Sequence, residues 1–402
     1  MPATEFIKRF RLSAGEINGP ACIAALTEDM NLGLAGKGDI PMNPSYLSLD
    51  TKPQPHMPCC IMDVGGTNVR IAAADFDEEG RCSITKLTKV PMLGMEQEIS
   101  CDDFYGTLAA HARATDHPQR IGLCFSYNVE HQRDLDGILQ SWCKEIRIPQ
   151  AVGKPVGQSL LAALGSDCQL VHVVNDSTAA LLGSHHLNRD VTVGVILGTG
   201  VNICYSEACD RICKVPQDLH ADSMIISTEI GEFRGIPKTI FDEAVIAASD
   251  EPDTAHAEKQ CAGAYLGELI SRAWQQAAQE GLLGAAFSRP AALPVISDYL
   301  SGIPTALPQD PAAIQIAKVM ICRAAKIAAI LTAGVVILRH KPGSCCTLVV
   351  EGSQYWKLAG FAPAYESALE ELLSPKNISF SIVQTENSCL IGAALTAFAR
   401  PM

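Results

Sequence analysis

Cys59-Cys60-Ile61-Met62-Asp63-Val64-Gly65-Gly66-Thr67-Asn68-Val69-Arg70 is a short apolar run, a glycine break, and the start of an alternating run that continues to Phe76. That order predicts a β-hairpin with a glycine tip. The pattern recurs downstream: Val191 to Leu197 is apolar, Gly198-Thr199-Gly200 is a tip, and Val201 to Tyr205 is a return strand beginning Val201-Asn202. The match is too short to establish a duplication, but it predicts two related halves, each opening on a hairpin whose tip can hold an anion. A third strand-to-glycine junction, Leu348-Val349-Val350-Glu351-Gly352-Ser353, leads into a helix. Further strands are expected at Ile121 to Phe125 and at Val171 to Val174. The latter ends in Asn175-Asp176, and a helix follows from Ser177 to Leu182, with Asp176 or Ser177 as its N-cap. Helical patterns begin the chain and dominate 236–340.

Length and composition bound what this architecture can serve. At 402 residues the prior is two or three domains or one large α/β unit. With 48% hydrophobic and 19% charged residues the chain can bury a sizeable core and is not disordered over most of its length. A net charge of -13 argues against a general nucleic-acid binder, which needs a basic stripe. The N-terminal stretch carries no apolar signal-like region, so a cytoplasmic protein is expected. The greasiest segment, Ile314 to Leu338, is interrupted by Lys318, Arg323 and Lys326 at helical spacings. It is expected to be a buried helix rather than a membrane span. The 16 cysteines include no C-x-x-C pair, and reduced, mostly buried thiols are expected.

Glycine tips flanked by Thr and Asn suit phosphates. Without Cβ atoms the backbone N–H groups approach a ligand closely, and the hydroxyl and amide add donors. Neither tip matches a P-loop or a dinucleotide fingerprint. Asp176, at the C-terminal end of a strand, faces the cleft side of an α/β sheet. Taken alone it is either a helix N-cap or a base that receives a proton as a hydroxyl attacks a phosphoryl group.

The segments then form an ordered series. Met62 to Arg70 resembles the hexokinase phosphate segment L-D-L-G-G-T-N-F-R. In order follow Phe125-Ser126 (F-S-F-P), Leu139 to Lys144 (L-x-x-W-T-K) and Val173 to Ser177 (V-V-N-D-T). Leu197 to Asn202 with Tyr205 is similar to G-T-G-x-N-x-x-Y, Ser227 to Gly231 with Phe233 to N-T-E-W-G-x-F, and Glu258 to Glu268 to E-K-x-x-x-G-x-Y-L-G-E. The resemblance to the hexokinase family covers about residues 40 to 395.

It implies an α/β, two-lobed actin-like (ribonuclease H-like) fold with a cleft between a small domain, 57–176 plus 389–402, and a large domain, 1–56 plus 177–388. It implies ATP-dependent phosphorylation of a hexose, glucose foremost, at the 6-hydroxyl, feeding glycolysis, with ATP and Mg²⁺ as cofactors. Asp176 is then the general base, with Lys144 beside the reacting groups. Ser126, Cys143, Lys144, Asn175, Asn202, Glu229 and Glu258 contact the sugar. Asp63, Gly65, Gly66, Thr67, Asn68, Arg70, Gly198, Thr199 and Gly200 serve the phosphates. Asp63 lies near a hydrated Mg²⁺, and Gly352 and Ser353 lie by the adenosine. The partners implied are a hexose and neither nucleic acid nor membrane; the oligomeric state is left open.

Several positions depart from the family pattern. Cys143 replaces a threonine and offers a weaker hydrogen-bonding group. Tyr127-Asn128 replaces Phe-Pro, Ile230 replaces Trp, and Glu351 replaces Asp. Glu386-Asn387-Ser388-Cys389 lacks the usual Gly-Ser-Gly-type linker. The Cys/His zinc motif of the bacterial repressor-and-sugar-kinase family is absent, which points to the eukaryotic-type branch. A sugar-binding regulator of the same fold with reduced catalysis is the alternative, and retention of Arg70, Lys144 and Asp176 together argues against it.

Overall fold

The computed structural model describes residues 2–142, 146–216, 219 and 221–402. The strands are β1 (Asn43–Pro44), β2 (Cys59–Val64), β3 (Asn68–Phe76), β4 (Cys82–Pro91), β5 (Arg120–Phe125), β6 (Asn128–His131), β7 (Gly137–Ser141), β8 (Leu170–Val174), β9 (Val191–Leu197), β10 (Val201–Ala208), β11 (Ser223–Ser227), β12 (Cys345–Glu351) and β13 (Ser379–Val383). They form a five-stranded sheet in the order β4-β3-β2-β5-β8, a six-stranded sheet in the order β1-β11-β10-β9-β12-β13, and the small pair β6-β7. Both glycine-tipped hairpins are present, and the fold is mixed α/β as expected. Sequence reasoning did not assign β1, β4, β6, β7, β11 or β13.

Two compact units emerge. One comprises the chain up to Met42, Val195–Ile203 and Thr228–Ile382; the other comprises Asn43–Gly194, Cys204–Ser227 and Val383–Met402. These limits differ from the domain boundaries expected from the sequence at 43–56, 177–194, 204–227 and 383–388. The physical reason at 177–194 is close packing of the helix Asp176–Leu187 on the C-terminal helix Ser388–Thr396. A Cβ on Gly183 would stand 2.1 Å from the Ser388 carbonyl oxygen, and one on Gly392 would stand 2.0 Å from that of Ala179. The same C-terminal helix presses on β5, where a Cβ on Gly122 would fall 1.7 Å from the Ala393 oxygen. Only glycine allows backbones so close.

In the other unit the helix Pro311–Arg339 supplies the core. Asp310 caps it, accepting from the N–H groups of Ala312 and Ala313 at 2.8 and 3.1 Å. The cations that interrupt its apolar run are met by acids: buried Arg323 pairs with Asp242 at 2.8 Å, and Lys326 reaches Glu371 at 2.9 Å. The helix is long and apolar enough to cross a membrane, yet most of it is buried inside the protein. The fifteen described cysteines are free thiols, nine of them buried.

Candidate active site

The first set of site residues belongs to the unit built on the five-stranded sheet. Val64 pairs with Val69 across the hairpin, which leaves Gly65 to Asn68 as the tip, closed by the Gly65 N–H donating to the Asn68 oxygen at 3.1 Å. Neither Gly65 nor Gly66 has a positive φ, and a Cβ at Gly65 would meet only the Asn68 oxygen, at 3.4 Å. At Gly65 the fold itself therefore does not demand glycine. Missing side chains leave room over the backbone N–H groups, which is what a phosphate cradle requires. Thr67 is exposed, and the Asn68 amide donates to its Oγ1 at 2.9 Å.

Asp63 and Arg70 are register partners on β2 and β3, and their side chains pair, with Nε of Arg70 donating to Oδ2 of Asp63 at 2.8 Å. Burial by itself lowers the Arg70 pKa, but the Asp63 charge and hydrogen bond outweigh it, so the guanidinium is held more firmly protonated. Ser126 follows β5, with its N–H on the Val64 carbonyl at 3.1 Å. Next to it the hydroxyl of Tyr127 donates to the Gly65 carbonyl at 2.9 Å. The departure from Phe to Tyr thus adds a brace to the tip. No sequence pattern marks that contact; only the extra hydroxyl beside a glycine tip hints at it.

Asn175 and Asp176 stand where β8 passes into the helix Asp176–Leu187. The N-cap is Asn175, not Asp176 or Ser177: its Oδ1 accepts from the Ser177 N–H at 2.9 Å and from the Ser177 hydroxyl at 2.7 Å. The strand runs through Val174, so the extended capping conformation falls on Asn175 and Asp176 becomes the first helical residue. Asp176 Oδ1 also accepts from the Ser177 N–H, at 2.8 Å. Cys143 and Lys144 lie outside the described residues.

The second set belongs to the other unit. The tip Gly198-Thr199-Gly200 is closed by the Gly198 N–H on the Gly200 oxygen at 3.0 Å. Its carbonyls are held from behind: those of Gly198 and Thr199 accept from the N–H groups of Gly263 and Ala264 at 2.9 and 3.0 Å, at the start of the helix Gly263–Gln279. Gly352, at φ 114°, joins β12 to the short helix Ser353–Lys357, and a Cβ there would lie 2.2 Å from the Leu197 oxygen. Gly352 thus abuts the tip, and exposed Ser353 follows.

Three side chains converge beside this tip. Asn202 donates through Nδ2 to Glu229 Oε1 at 2.8 Å, while its Oδ1 accepts from the Glu229 N–H at 3.0 Å and the Ile203 N–H at 2.8 Å. Glu229 has φ 55° and ψ 45°, a left-handed conformation that costs a non-glycine residue about 1–2 kcal/mol. Such strain persists only where surrounding structure enforces it, and it collects at functional sites. Glu258, on the helix His256–Cys261, accepts from the Val201 N–H through Oε2 at 2.9 Å. A Cβ on Gly200 would come within 2.6 Å of that oxygen, and one on Gly231 within 3.0 Å of the Glu258 Cβ. The carboxylate is therefore held in a slot that two glycines leave open. Arg323, paired with Asp242, also donates to Gln260 at 3.3 Å and so ties that helix to the core. The sequence motifs did not mark this brace, since its members are far apart in the chain.

Hexokinase family models match residues 2–186 and 192–399. The chain is 28% identical to Hexokinase-4, chloroplastic, of Oryza sativa subsp. japonica, over 93% of this chain and 84% of that one. It is 27% identical to the Hexokinase-like 1 protein of Arabidopsis thaliana, over 93% of this chain and 86% of that one. Among solved structures, the hexokinase from Schistosoma mansoni complexed with glucose superposes with a TM-score of 0.83 at 22% identity, covering 98% of each chain.

Proposed function

The chain belongs to the hexokinase family of sugar kinases, and we propose that it transfers the terminal phosphoryl group of ATP to the 6-hydroxyl of a hexose, glucose foremost. The observation that carries this is the strained Glu229 locked to Asn202 beside a glycine-bounded Glu258. A hexose is a ring of hydroxyls, and carboxylates and amides fixed in advance accept and orient them without further reorganisation. In this reading Ser126, Asn175, Asn202, Glu229 and Glu258 hold the sugar, with Cys143 and Lys144 contributing from the segment between them.

Asp176 takes the proton from the 6-hydroxyl as that oxygen attacks. Asn175 supports this by assuming the capping role, so the Asp176 carboxylate is not the cap. ATP would supply the phosphoryl group, and Mg²⁺, held through water near Asp63, would neutralise developing charge during the transfer. The donor set fits such a group: open glycine backbones at both tips, the hydroxyls of Thr67 and Thr199, and Asp63 as a carboxylate for a hydrated cation. Arg70 orients Asp63, and Gly352 with Ser353 receives the adenosine side.

The test is Asp176→Asn. The amide keeps the shape and can still hydrogen-bond, so hexose affinity should stay within a few-fold while kcat falls by roughly 10²–10⁴. A variant retaining half of the wild-type kcat would remove Asp176 from the role of base. Binding of hexose without turnover in the wild-type chain would instead favour a sugar-binding regulator.

A further inference from the structure

Two thiols that the proposed reaction does not use stand face to face under its machinery. Cys124 is on β5 and fully buried; Cys389 is half-buried in the first turn of the C-terminal helix Ser388–Thr396. Their apposition follows from the packing of helix on strand. Gly122 lies against the Ala393 carbonyl, with the Ala397 N–H next along the helix. Two residues up the strand advances about 6.6 Å on the same face, and four residues back along the helix retreats about 6 Å on the same face. Moving from Gly122 to Cys124 therefore moves from Ala393 to Cys389. The same register holds two residues down the strand, where Arg120 donates to the Ala397 oxygen at 2.9 Å, so Cys124 and Cys389 fall on facing surfaces of strand and helix.

The surroundings are those of the site. Cys124 is the register partner of Asp63, which in turn pairs with Arg70. The Cys389 sulfur lies 3.7 Å from the backbone oxygen of Asp176, and the Ser388 hydroxyl lies 4.0 Å from the same sulfur. Cys389 also falls where the chain departs from the Gly-Ser-Gly-type linker of its family.

We propose that Cys124 and Cys389 form a hydroperoxide-sensitive dithiol whose oxidation to a disulfide slows phosphoryl transfer. The half-exposed Cys389 sulfur attacks one peroxide oxygen and releases its proton. The S–O bond forms, the O–O bond breaks, and the departing hydroxide takes up a proton as water. The resulting sulfenic acid is attacked by the Cys124 sulfur; the S–S bond forms, the S–O bond breaks, and a second water leaves with the Cys124 proton. Two thiols are oxidised and one hydrogen peroxide is reduced to two waters. The new bond ties the first turn of the C-terminal helix to β5 and draws on the Asp176 backbone and on Asp63. A misplacement of about 1 Å at a reacting group costs on the order of a hundredfold in rate.

The effect on turnover rests on the phosphotransferase reading, while the disulfide itself does not. The experiment exposes the full chain to hydrogen peroxide, blocks remaining thiols by alkylation, maps linked peptides by mass spectrometry, and measures hexose phosphorylation before and after dithiothreitol. The expected result is a Cys124–Cys389 linked peptide that accumulates as turnover falls by roughly tenfold or more, with both reversed by dithiothreitol. Cys389→Ser should keep basal turnover and resist peroxide, and Cys124→Ala serves the same purpose should the first variant fold poorly. Absence of the linked peptide, or equal loss of turnover in the resistant variant, overturns the inference. Untreated wild-type chain without any turnover would instead count against the phosphotransferase reading, a distinct outcome.

Discussion

Glu229→Gly separates what the backbone costs from what the side chain does. The left-handed conformation at φ 55° costs a side-chain-bearing residue about 1–2 kcal/mol, and glycine removes that cost. Against this, glycine loses more backbone freedom on folding, about 0.5–1 kcal/mol. The 2.8 Å hydrogen bond from Asn202 is also lost, a net contribution of about 0.5–1.5 kcal/mol. The three effects nearly cancel, so unfolding free energy should change by no more than about 1.5 kcal/mol in either direction. Glu229→Ala keeps the strained backbone and loses the same hydrogen bond, so it should be the less stable of the two by about 1 kcal/mol. Hexose binding should suffer alike in both. Hydrogen bonds to a charged carboxylate contribute about 1.5–3 kcal/mol each, so one lost contact weakens binding by roughly ten- to a hundredfold. Urea denaturation gives the stabilities and titration calorimetry the affinities. Equal stability of the glycine and alanine variants would refute the strain argument, and unchanged hexose affinity in both would refute the assignment of Glu229 to the sugar.

At Gly200 a methyl group would meet the end of a side chain rather than backbone, 2.6 Å from Glu258 Oε2. Gly200→Ala should therefore displace the Glu258 carboxylate from the Val201 N–H, raise the hexose KM by roughly tenfold and cost about 1 kcal/mol of stability, as steady-state kinetics and denaturation will show. His131 is buried, its Nδ1 has no partner among the described residues, and burial lowers its pKa from 6.5 to about 4. The imidazole is held neutral in the folded state, so its contribution is present above pH 6.5 and is lost as pH falls through the folded pKa. Stability should drop by on the order of 3 kcal/mol between those limits, a slope that His131→Gln flattens in denaturation series across pH.

Much of the site was legible because its motifs are local. A glycine break between alternating runs marks β2-β3 and β9-β10 wherever the chain later goes. The long apolar helix was also legible: Lys318, Arg323 and Lys326 at helical spacing signalled a buried helix rather than a membrane span, while the partners Asp242 and Glu371 are too distant in sequence to be named. The exposed edge strand β4 is half polar, and its Ile84, Leu87 and Val90 fall three residues apart rather than alternating. The cap at Asn175 turned on where β8 ends, since Asn, Asp and Ser all cap well and stand consecutively. The left-handed Glu229 has no sequence signal at all, because nothing in a glutamate foretells a positive φ. The Cys124–Cys389 apposition needs the helix-on-strand register at Gly122, which only tertiary packing sets.

The central claim is phosphoryl transfer to a hexose hydroxyl. Phosphorus NMR of the chain incubated with ATP, Mg²⁺ and glucose, with other hexoses in parallel, reads the product directly. The account predicts that the terminal phosphorus of ATP disappears as a hexose 6-phosphate resonance grows in equal measure, and that Asp176→Asn nearly abolishes this growth. A wild-type chain that binds the sugar yet produces no phosphorylated hexose, or that releases only inorganic phosphate, would contradict it.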